Sequence, residues 1–463
     1  MNKSTKISNP FCHSISSREL SNWEKMEAEW VAQMQQELQA CLDVLNCLFF
    51  LKEILKTKGP EKKYKYAGIR SVRVTLMNGS RVMVRSPSFI FIPPKRRGPR
   101  TANKGVVRHP ALEILGFLDK KSPEFLSIVV RSAVSNPSFQ AASEELSFRR
   151  FFVSHEQIRI LTYRYADLFL GERVENSLDG SEKQAGLNIE ITIDGGRTRM
   201  REDYKKKNGR RKKTTYKGKW REPILFSIRI LNEKGELAQE VPQLLDATMK
   251  NWKNAFVLLE KYLARYNLKE AQKITFLADG SNSIWSNLDP MMKRLGISEY
   301  KSVVDYMHAK QNLNIVIDMM NKKQTKAAGK KTREKMYELL WKGDINGMKE
   351  NIDTFFNSKR RGKKAALNKI NNYFEHHERF VYEKLTEKDY PIGSGSVESA
   401  IRRVINMKLK GNGIFWLEKN CEKMLYLRCQ FLTGRWNTLQ EKLEKRRLNL
   451  YNSNKLEILD KAC

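Results

Sequence analysis

Residues 188–196 read Asn-Ile-Glu-Ile-Thr-Ile-Asp-Gly-Gly, with Ile189, Ile191 and Ile193 alternating toward Asp194 and two glycines behind it. A period of two over such a run is the pattern of a β-strand, so the sequence predicts an acidic side chain at a strand's carboxyl end. Outward from it the chain has α/β character. Ile224 to Leu231 reads as a second strand, Leu237 to Val241 as a short third, and Thr248 to Tyr266 as a helix with Trp252, Phe256, Leu259 and Leu263 on one side. Ile274 to Ala278 is a strand ending at Asp279, Trp285 to Leu295 is mostly helix, and Val303-Val304 ends a strand at Asp305. The order is thus three strands, helix, strand, helix, strand. Basic, helical sequence follows from about Asn314 to Tyr390, and a last helix starts after Gly393-Ser-Gly-Ser.

In open α/β sheets, sites form at the carboxyl ends of strands. Asp194 and Asp279 both stand there, and Gly195, Gly196 and Gly280 are expected to leave room for a large ligand. An Asp-Gly after a strand is by itself only a turn; the pair gains meaning from the element order. If the first three strands are antiparallel and the fourth follows a helix, strands one and four can be neighbours, and their aspartates can share one or two divalent cations. Glu398, at a helix start in PIGSGSVESAIRR, is placed to add a third carboxylate, although an acid at the positive end of a helix dipole is also ordinary. Oxygen-rich sites of this kind select Mg²⁺ or Mn²⁺, and two such ions can stabilise the attacking and leaving oxygens of a phosphoryl transfer. Asp305 competes with Asp279 for the second position, since it also ends an apolar strand.

The N-terminal part differs. Trp23, Met26, Trp30, Met34, Leu38, Leu42 and Leu45 recur at helical spacing, as in a packing or self-association helix. Val72, Val74 and Leu76, then Asn78-Gly79, then Val82 and Val84 predict a hairpin. Pro93 to Arg100 (PPKRRGPR) reads as a basic linker. From Pro110 to Leu170 several short helices are expected. Phe139, Ala142 and Leu146 share one face; Ser154 and Gln157 have the spacing of a capping box; Ile158, Leu161, Tyr165 and Leu168 form the next stripe. Two short helices around a turn, the second with Arg159 and Arg164 off its stripe, suit a helix-turn-helix, and equally an ordinary helical subdomain.

Across 463 residues, 86 Lys plus Arg against 52 Asp plus Glu leave a formal charge of +34, which points to a polyanionic partner. Forty per cent apolar residues and eight Trp argue against wholesale disorder. Cys12, Cys41, Cys47, Cys421, Cys429 and Cys463 form no C-x-x-C pair, which disfavours a structural zinc site or a disulfide framework. No apolar run is long enough to span a bilayer and no secretory segment follows Met1, so the expectation is no membrane partner and a soluble, cytoplasmic protein. The basic excess gathers in Lys205 to Lys219, nine bases in fifteen residues that include Lys206, Arg210, Arg211, Lys212 and Lys213, and again in Arg402, Arg403, Lys408 and Lys410. Each is a candidate DNA-backbone contact or a solvated face. Arg402, four residues after Glu398, can pair with it or grip a strand.

With these residues in hand, ITIDGGRTR, LADGSNSIW, VVDYMHAKQNL and GSGSVESAIRRVINMKLKGNGIFW together resemble an RNase H-like DDE transposase of bacterial insertion sequences, with Mutator-like features, over about residues 188 to 434. The resemblance implies an RNase H-like mixed sheet with a helical insertion, catalytic and metal-binding roles for Asp194, Asp279 and Glu398, and an accessory D-x-x-H motif at Asp305 and His308. It favours Asp279 over Asp305, and makes His308 a hydrogen-bond partner or a DNA contact beside its plain alternative, a buried structural histidine. The gap from Asp279 to Glu398, too long for one connection, then holds the helical insertion, in which Trp341 is either a core residue or a platform for an extruded base.

The expected organisation is an N-terminal helical segment (1–66), hairpin and basic linker (67–107), a helix-turn-helix DNA-binding region (108–180), the first part of the catalytic core (181–318), the insertion (319–390), the closing Glu helix (391–434) and a tail (435–463). The expected function is a DNA transposase that binds element ends through Arg159, Tyr163 and Arg164 and cuts and joins strands with Mg²⁺ or Mn²⁺, as a homodimer or higher oligomer. A non-catalytic transposase-derived regulator and an RNase H-like nuclease without strand transfer are the alternatives.

Overall fold

The computed structural model describes residues 17–45, 63–92, 107–183, 188–201, 219–232, 235–238, 241–321, 325–356 and 362–462. The basic loop that holds Lys206, Arg210, Arg211, Lys212 and Lys213 lies outside the described residues, as does the Pro93–Arg100 linker. Among the described residues no helix is long and apolar enough to cross a membrane. The chain divides into two compact units, the first comprising Met1–Val129, Leu146–Phe152 and Leu443–Cys463, the second Val130–Glu145 and Val153–Lys442.

In the first unit a helix, Ser17–Val44, precedes β1 (Lys63–Thr75), β2 (Arg81–Ile92) and the short β3 (Val107–Arg108). β1 and β2 pair antiparallel with Val72 opposite Val84 and Val74 opposite Val82. The Asn-Gly turn forms as expected: Gly79 takes φ +83°, which glycine adopts without a Cβ penalty, and the Asn78 side chain accepts from the Ser80 N–H at 3.0 Å. The core joins Leu42, Val72, Val74, Val82, Val84, Phe89 and Leu112. Of the helix stripe, Leu42 and Leu45 are buried and Met34 and Leu38 pack partly buried against the same core, whereas Met26 and Trp30 are exposed.

The second unit is mixed α/β, built on a five-stranded sheet of order β10-β9-β4-β7-β8. The strands are β4 (Asn188–Gly195), β7 (Ile224–Leu231), β8 (Leu244–Thr248), β9 (Lys273–Ala278) and β10 (Lys301–Val304); β5 (Thr198–Met200) and β6 (Lys219–Arg221) form a separate ribbon. β4-β7-β8 run antiparallel, whereas β9 and β10 are parallel to β4 and to each other. Strands one and four of the sheet are therefore neighbours, as the element order predicts. The helices Trp252–Leu263 and Asn282–Arg294 carry Phe256, Leu259, Ile284 and Leu288 into one core with Ile191, Phe226 and Phe276.

The third strand is Leu244–Thr248, not Leu237 to Val241; Leu237 makes only an isolated bridge to Leu231. An acid in mid-strand hides it from pattern reading. Asp246 is fully buried, ion-paired with Arg173, and accepts from the Tyr262 hydroxyl at 2.8 Å, which is the condition for burying a charge. Arg173 also binds Glu422 at 2.6 Å. Burial and Asp246 together raise Tyr262 well above its ordinary value.

Between β10 and the helix that bears Glu398 the described residues contain helices only, among them Lys326–Lys342, Ile345–Phe355 and Gly362–Tyr373. Trp341 packs edge-on to Tyr306 (5.6 Å) and stacks on Tyr382 (6.3 Å) at the margin of the core. This is the core placement rather than a free platform.

Candidate functional site

The site begins with strand register. β4 and β9 pair in parallel from Asn188↔Lys273 to Thr192↔Leu277, and β10 pairs with β9 up to Val304↔Ala278. Two residues further along β4 and β9, and one beyond the end of β10, the same offsets set Asp194, Asp279 and Asp305 level. Registered partners face the same side of a sheet, so three carboxylates stand in a row at the carboxyl ends of three adjacent parallel strands.

Hydrogen bonds separate them. Asp194 Oδ1 accepts from the Gly195 N–H (2.7 Å), and Asp279 Oδ1 from the Ser281 N–H (2.8 Å) at the entry to the next helix. Each aspartate keeps Oδ2 clear of hydrogen bonds among the described residues. Asp305 is 1% exposed and uses both oxygens: Oδ1 accepts from the His308 N–H (2.8 Å), Oδ2 from the Ser394 N–H (2.5 Å) and the Ser394 hydroxyl (2.9 Å).

Glu398 lies in the first turn of the helix Gly395–Ile401. Two contacts set that helix on the sheet. Ser394, just before it, gives its hydroxyl to Asp305 rather than capping its own helix, and the Ser396 hydroxyl donates to Glu190 at 3.1 Å. Glu190 is a buried acid on β4, four residues before Asp194, and it pairs with Arg229 at 3.0 Å. Its position within the NIEIT alternation looked like an ordinary polar face, so it was missed; Arg229, directly opposite on β7, was the signal. Glu398 itself is half exposed, with Oε1 3.6 Å from His308 Nε2.

The electrostatics tie these groups together. Burial pushes Asp194 up to about 6; the Gly195 N–H opposes this, the negative charges of Asp279 and Glu398 add to it, and His308 pulls it back. One ligand atom from each of Asp305, His308 and Glu398 also lies within 4.8 Å of the others. Within that triplet both oxygens of Asp305 are already engaged, by the His308 and Ser394 N–H groups and the Ser394 hydroxyl. Since Asp194 titrates higher in the fold than in an unfolded chain, the stability it contributes is complete below about pH 4 and lost as pH rises through about 6. Asp194→Asn is thus expected to raise the melting temperature of metal-free protein at pH 7.5, by the equivalent of about 1–2 kcal/mol after discounting for its partial exposure, and to leave it unchanged at pH 4. A variant less stable than the parent at pH 7.5 in chelator would contradict this.

The glycines behind the aspartates do not leave open space. A Cβ on Gly280 would lie 2.4 Å from the Tyr373 ring, and one on Gly196 would lie 2.6 Å from Ile405. They admit the protein's own side chains, which wall the acids. The Tyr373 hydroxyl is buried and makes no hydrogen bond of good geometry, although the Gly280 N–H and Asn312 lie nearby.

The bases after Glu398 do not share one helix face. The α-helix ends at Ile401 and a π-helical turn, Arg402–Asn406, follows, which shifts the phase of the chain. Arg402 and Lys410 are exposed, and no ion pair among the described residues joins Arg402 to Glu398; Arg403 is half-buried. Lys408 is turned inward, 2% exposed. Its ammonium donates to the carbonyls of Ala133 (2.6 Å) and Asn136, and burial lowers it to about 7. The expectation that it grips DNA does not hold for this position. Lys408→Ala is expected to cost about 2–4 kcal/mol of stability without changing the salt dependence of DNA binding; a slope reduced by about one at unchanged stability would restore a DNA role.

In the helix His155–Leu170, Ser154 caps the N-terminus by accepting from the Gln157 N–H, as its spacing predicts. Ile158, Leu161, Tyr165 and Phe169 are buried; Leu168 is 38% exposed, because the stripe follows 3.6 residues per turn to Phe169. Arg159 pairs with Glu156 and lies over the Tyr163 ring. Tyr163 is half-buried edge-on against Phe139, and burial pushes its hydroxyl up to about 12, so it is not the exposed reader expected. Arg164 is exposed. The helix belongs to the unit of the five-stranded sheet, where Tyr165 stacks on Trp436 (5.8 Å) and Asp167 pairs with Lys423 (2.6 Å).

No family model matches the chain, and no curated protein is similar to it. Among solved structures it is similar to the Drosophila P element transposase strand transfer complex, at 12% identity and a TM-score of 0.25, over 72% of this chain and 84% of that one.

Proposed function

We propose that the chain is a DNA transposase with an RNase H-like core, in which Asp194, Asp279 and Glu398 form the metal-binding catalytic triad. The observation that carries this is the level pair Asp194 and Asp279 on adjacent parallel strands, with Glu398 close enough to act on the ionisation of Asp194. The strand order, with three antiparallel strands followed by two parallel ones on the far side of the first, supports the RNase H-like reading, as do the sequence motifs and the all-helical stretch before Glu398. The +34 charge supports DNA as the partner.

The donor set fits a hard divalent cation, Mg²⁺ or Mn²⁺. Asp194 and Asp279 each keep an oxygen clear of hydrogen bonds among the described residues, and Asp194, raised first by burial, is raised further by the negative charges of Asp279 and Glu398. Asp194, Asp279 and Glu398 would hold the cation, which supplies neutralisation of the phosphate and activation of the attacking oxygen. The chain's own residues set the geometry. β4 and β9 hold the aspartates level, Ser394 and Ser396 tether the Glu398 helix, and His308 stands against Glu398.

Purified protein incubated with Mg²⁺ and the DNA that flanks its gene is expected to release 3′-hydroxyl ends and join them to a second DNA. Cleavage without joining would leave a nuclease of the same fold, and binding with no cleavage in either metal would leave a DNA-binding regulator.

A further inference from the structure

The stretch Phe148-Arg149-Arg150-Phe151-Phe152 follows the helix Phe139–Phe148, and its backbone turns there in a Schellman motif. The Arg150 N–H reaches the Ser147 carbonyl (2.9 Å) and the Phe151 N–H reaches the Leu146 carbonyl (2.9 Å). The residue such a motif holds in left-handed conformation is usually glycine; here it is Arg150, at φ +62°. Phe151 anchors the turn inward, against Phe125 (5.9 Å between centroids) and over Gly79, where a Cβ would lie 3.4 Å from its ring. Its two aromatic neighbours point the other way: Phe148 is 88% and Phe152 77% exposed. Arg149 and Arg150 are exposed between them. Isolated apolar residues on a surface need no account, but two outward phenyl rings interleaved with two guanidiniums, on a turn locked by a third ring, make a fixed surface of aromatic faces and positive charge. Bases stack on exposed aromatic side chains whatever their identity, while arginines hold the backbone between them.

We propose that this turn is a docking site for a DNA strand with unpaired bases, Phe148 and Phe152 stacking on bases and Arg149 and Arg150 holding phosphates. The inference rests on the reading of the chain as a DNA-acting enzyme, and it names a contact separate from the carboxylate site.

The test uses the full chain with Phe148→Ala, Phe152→Ala and the double variant, each checked by melting temperature, which should not fall because both rings are solvated. Binding is read by anisotropy with a mixed-sequence single-stranded oligonucleotide and a blunt duplex, and stacking by the quenching of 2-aminopurine in the single strand. The expected result is about a tenfold loss of single-strand affinity per ring, loss of quenching in the double variant, retention of both with Phe→Trp, and little change for the duplex. Unchanged single-strand affinity and quenching in the double variant would overturn the proposal. So would loss confined to binding of phosphatidylserine vesicles, which would make the turn a membrane contact. Asp194→Ala should leave all of these binding readouts intact. Ring-dependent binding by a chain that cleaves no DNA would therefore overturn the catalytic reading alone.

Discussion

Asp194→Ala and Glu398→Ala are each expected to lower metal-dependent strand cleavage by about 10³-fold or more while DNA affinity stays within about twofold. A ligand that positions a catalytic cation accounts for several kcal/mol of transition-state stabilisation, and each 1.4 kcal/mol is tenfold in rate. Asp194 is the more telling of the two. It lies level with Asp279, and its ionisation is opposed by burial and by two neighbouring acids, so removing its charge relieves repulsion in the metal-free fold. Loss of activity with an unchanged or higher melting temperature separates a catalytic role from a structural one. Cleavage undiminished in either variant would remove these residues from the site.

Asp305→Ala should behave differently, losing both stability and activity. Its buried carboxylate accepts three hydrogen bonds, from His308 and twice from Ser394, and truncation leaves buried N–H groups without an acceptor. A cost of about 3–5 kcal/mol is expected. Activity should fall about 10- to 100-fold, the range for residues that orient metal ligands rather than bind the metal, because Ser394 leads directly into the helix that carries Glu398. The Mn²⁺ concentration for half-maximal cleavage should rise with it. Ser394→Ala, which loses only the hydroxyl bond, should shift the same metal dependence in the same direction at a smaller cost in stability. If Ser394→Ala has no effect on metal dependence while Asp305→Ala is inactive, Asp305 acts as a ligand and not as a tether.

Much of the sheet was legible because its strands obey the period of two and end at turn residues. β4, β7, β9 and β10 lie where alternation or apolar runs put them, and the helix Trp252–Leu263 between β8 and β9 keeps its expected apolar side. β8 is not legible in the sequence, since Asp246 breaks its apolar run and the partners that compensate its burial, Arg173 and Tyr262, are distant in sequence. The helix after Glu398 is not legible for a related reason: a π turn, Arg402–Asn406, cannot be seen in a pattern that assumes 3.6 residues per turn, and Lys408 beyond it is buried. Between Asp279 and Asp305 the sequence offers the motif resemblance, which favours Asp279, while both follow parallel strands of the sheet. In the fold their oxygens differ in occupancy: Asp305 accepts from His308 and from Ser394, which comes from the far end of the helical stretch, whereas Asp279 accepts from the Ser281 N–H.

The glycines teach the complementary lesson. Small residues beside an acid suggest room for a ligand, yet Tyr373 and Ile405 fill the space beside Gly280 and Gly196.

Asp194, Asp279 and Glu398 are proposed to hold the divalent cation on which strand cleavage depends. Crystals of the full chain soaked in Mn²⁺, with anomalous diffraction recorded at the manganese edge, test it most directly. A peak ligated by Asp194 and Asp279, with Glu398 at its margin and lost in Asp194→Asn, is the predicted result. A peak held by Asp305 and His308 and indifferent to Asp194, or no peak at a concentration that supports cleavage, would contradict it.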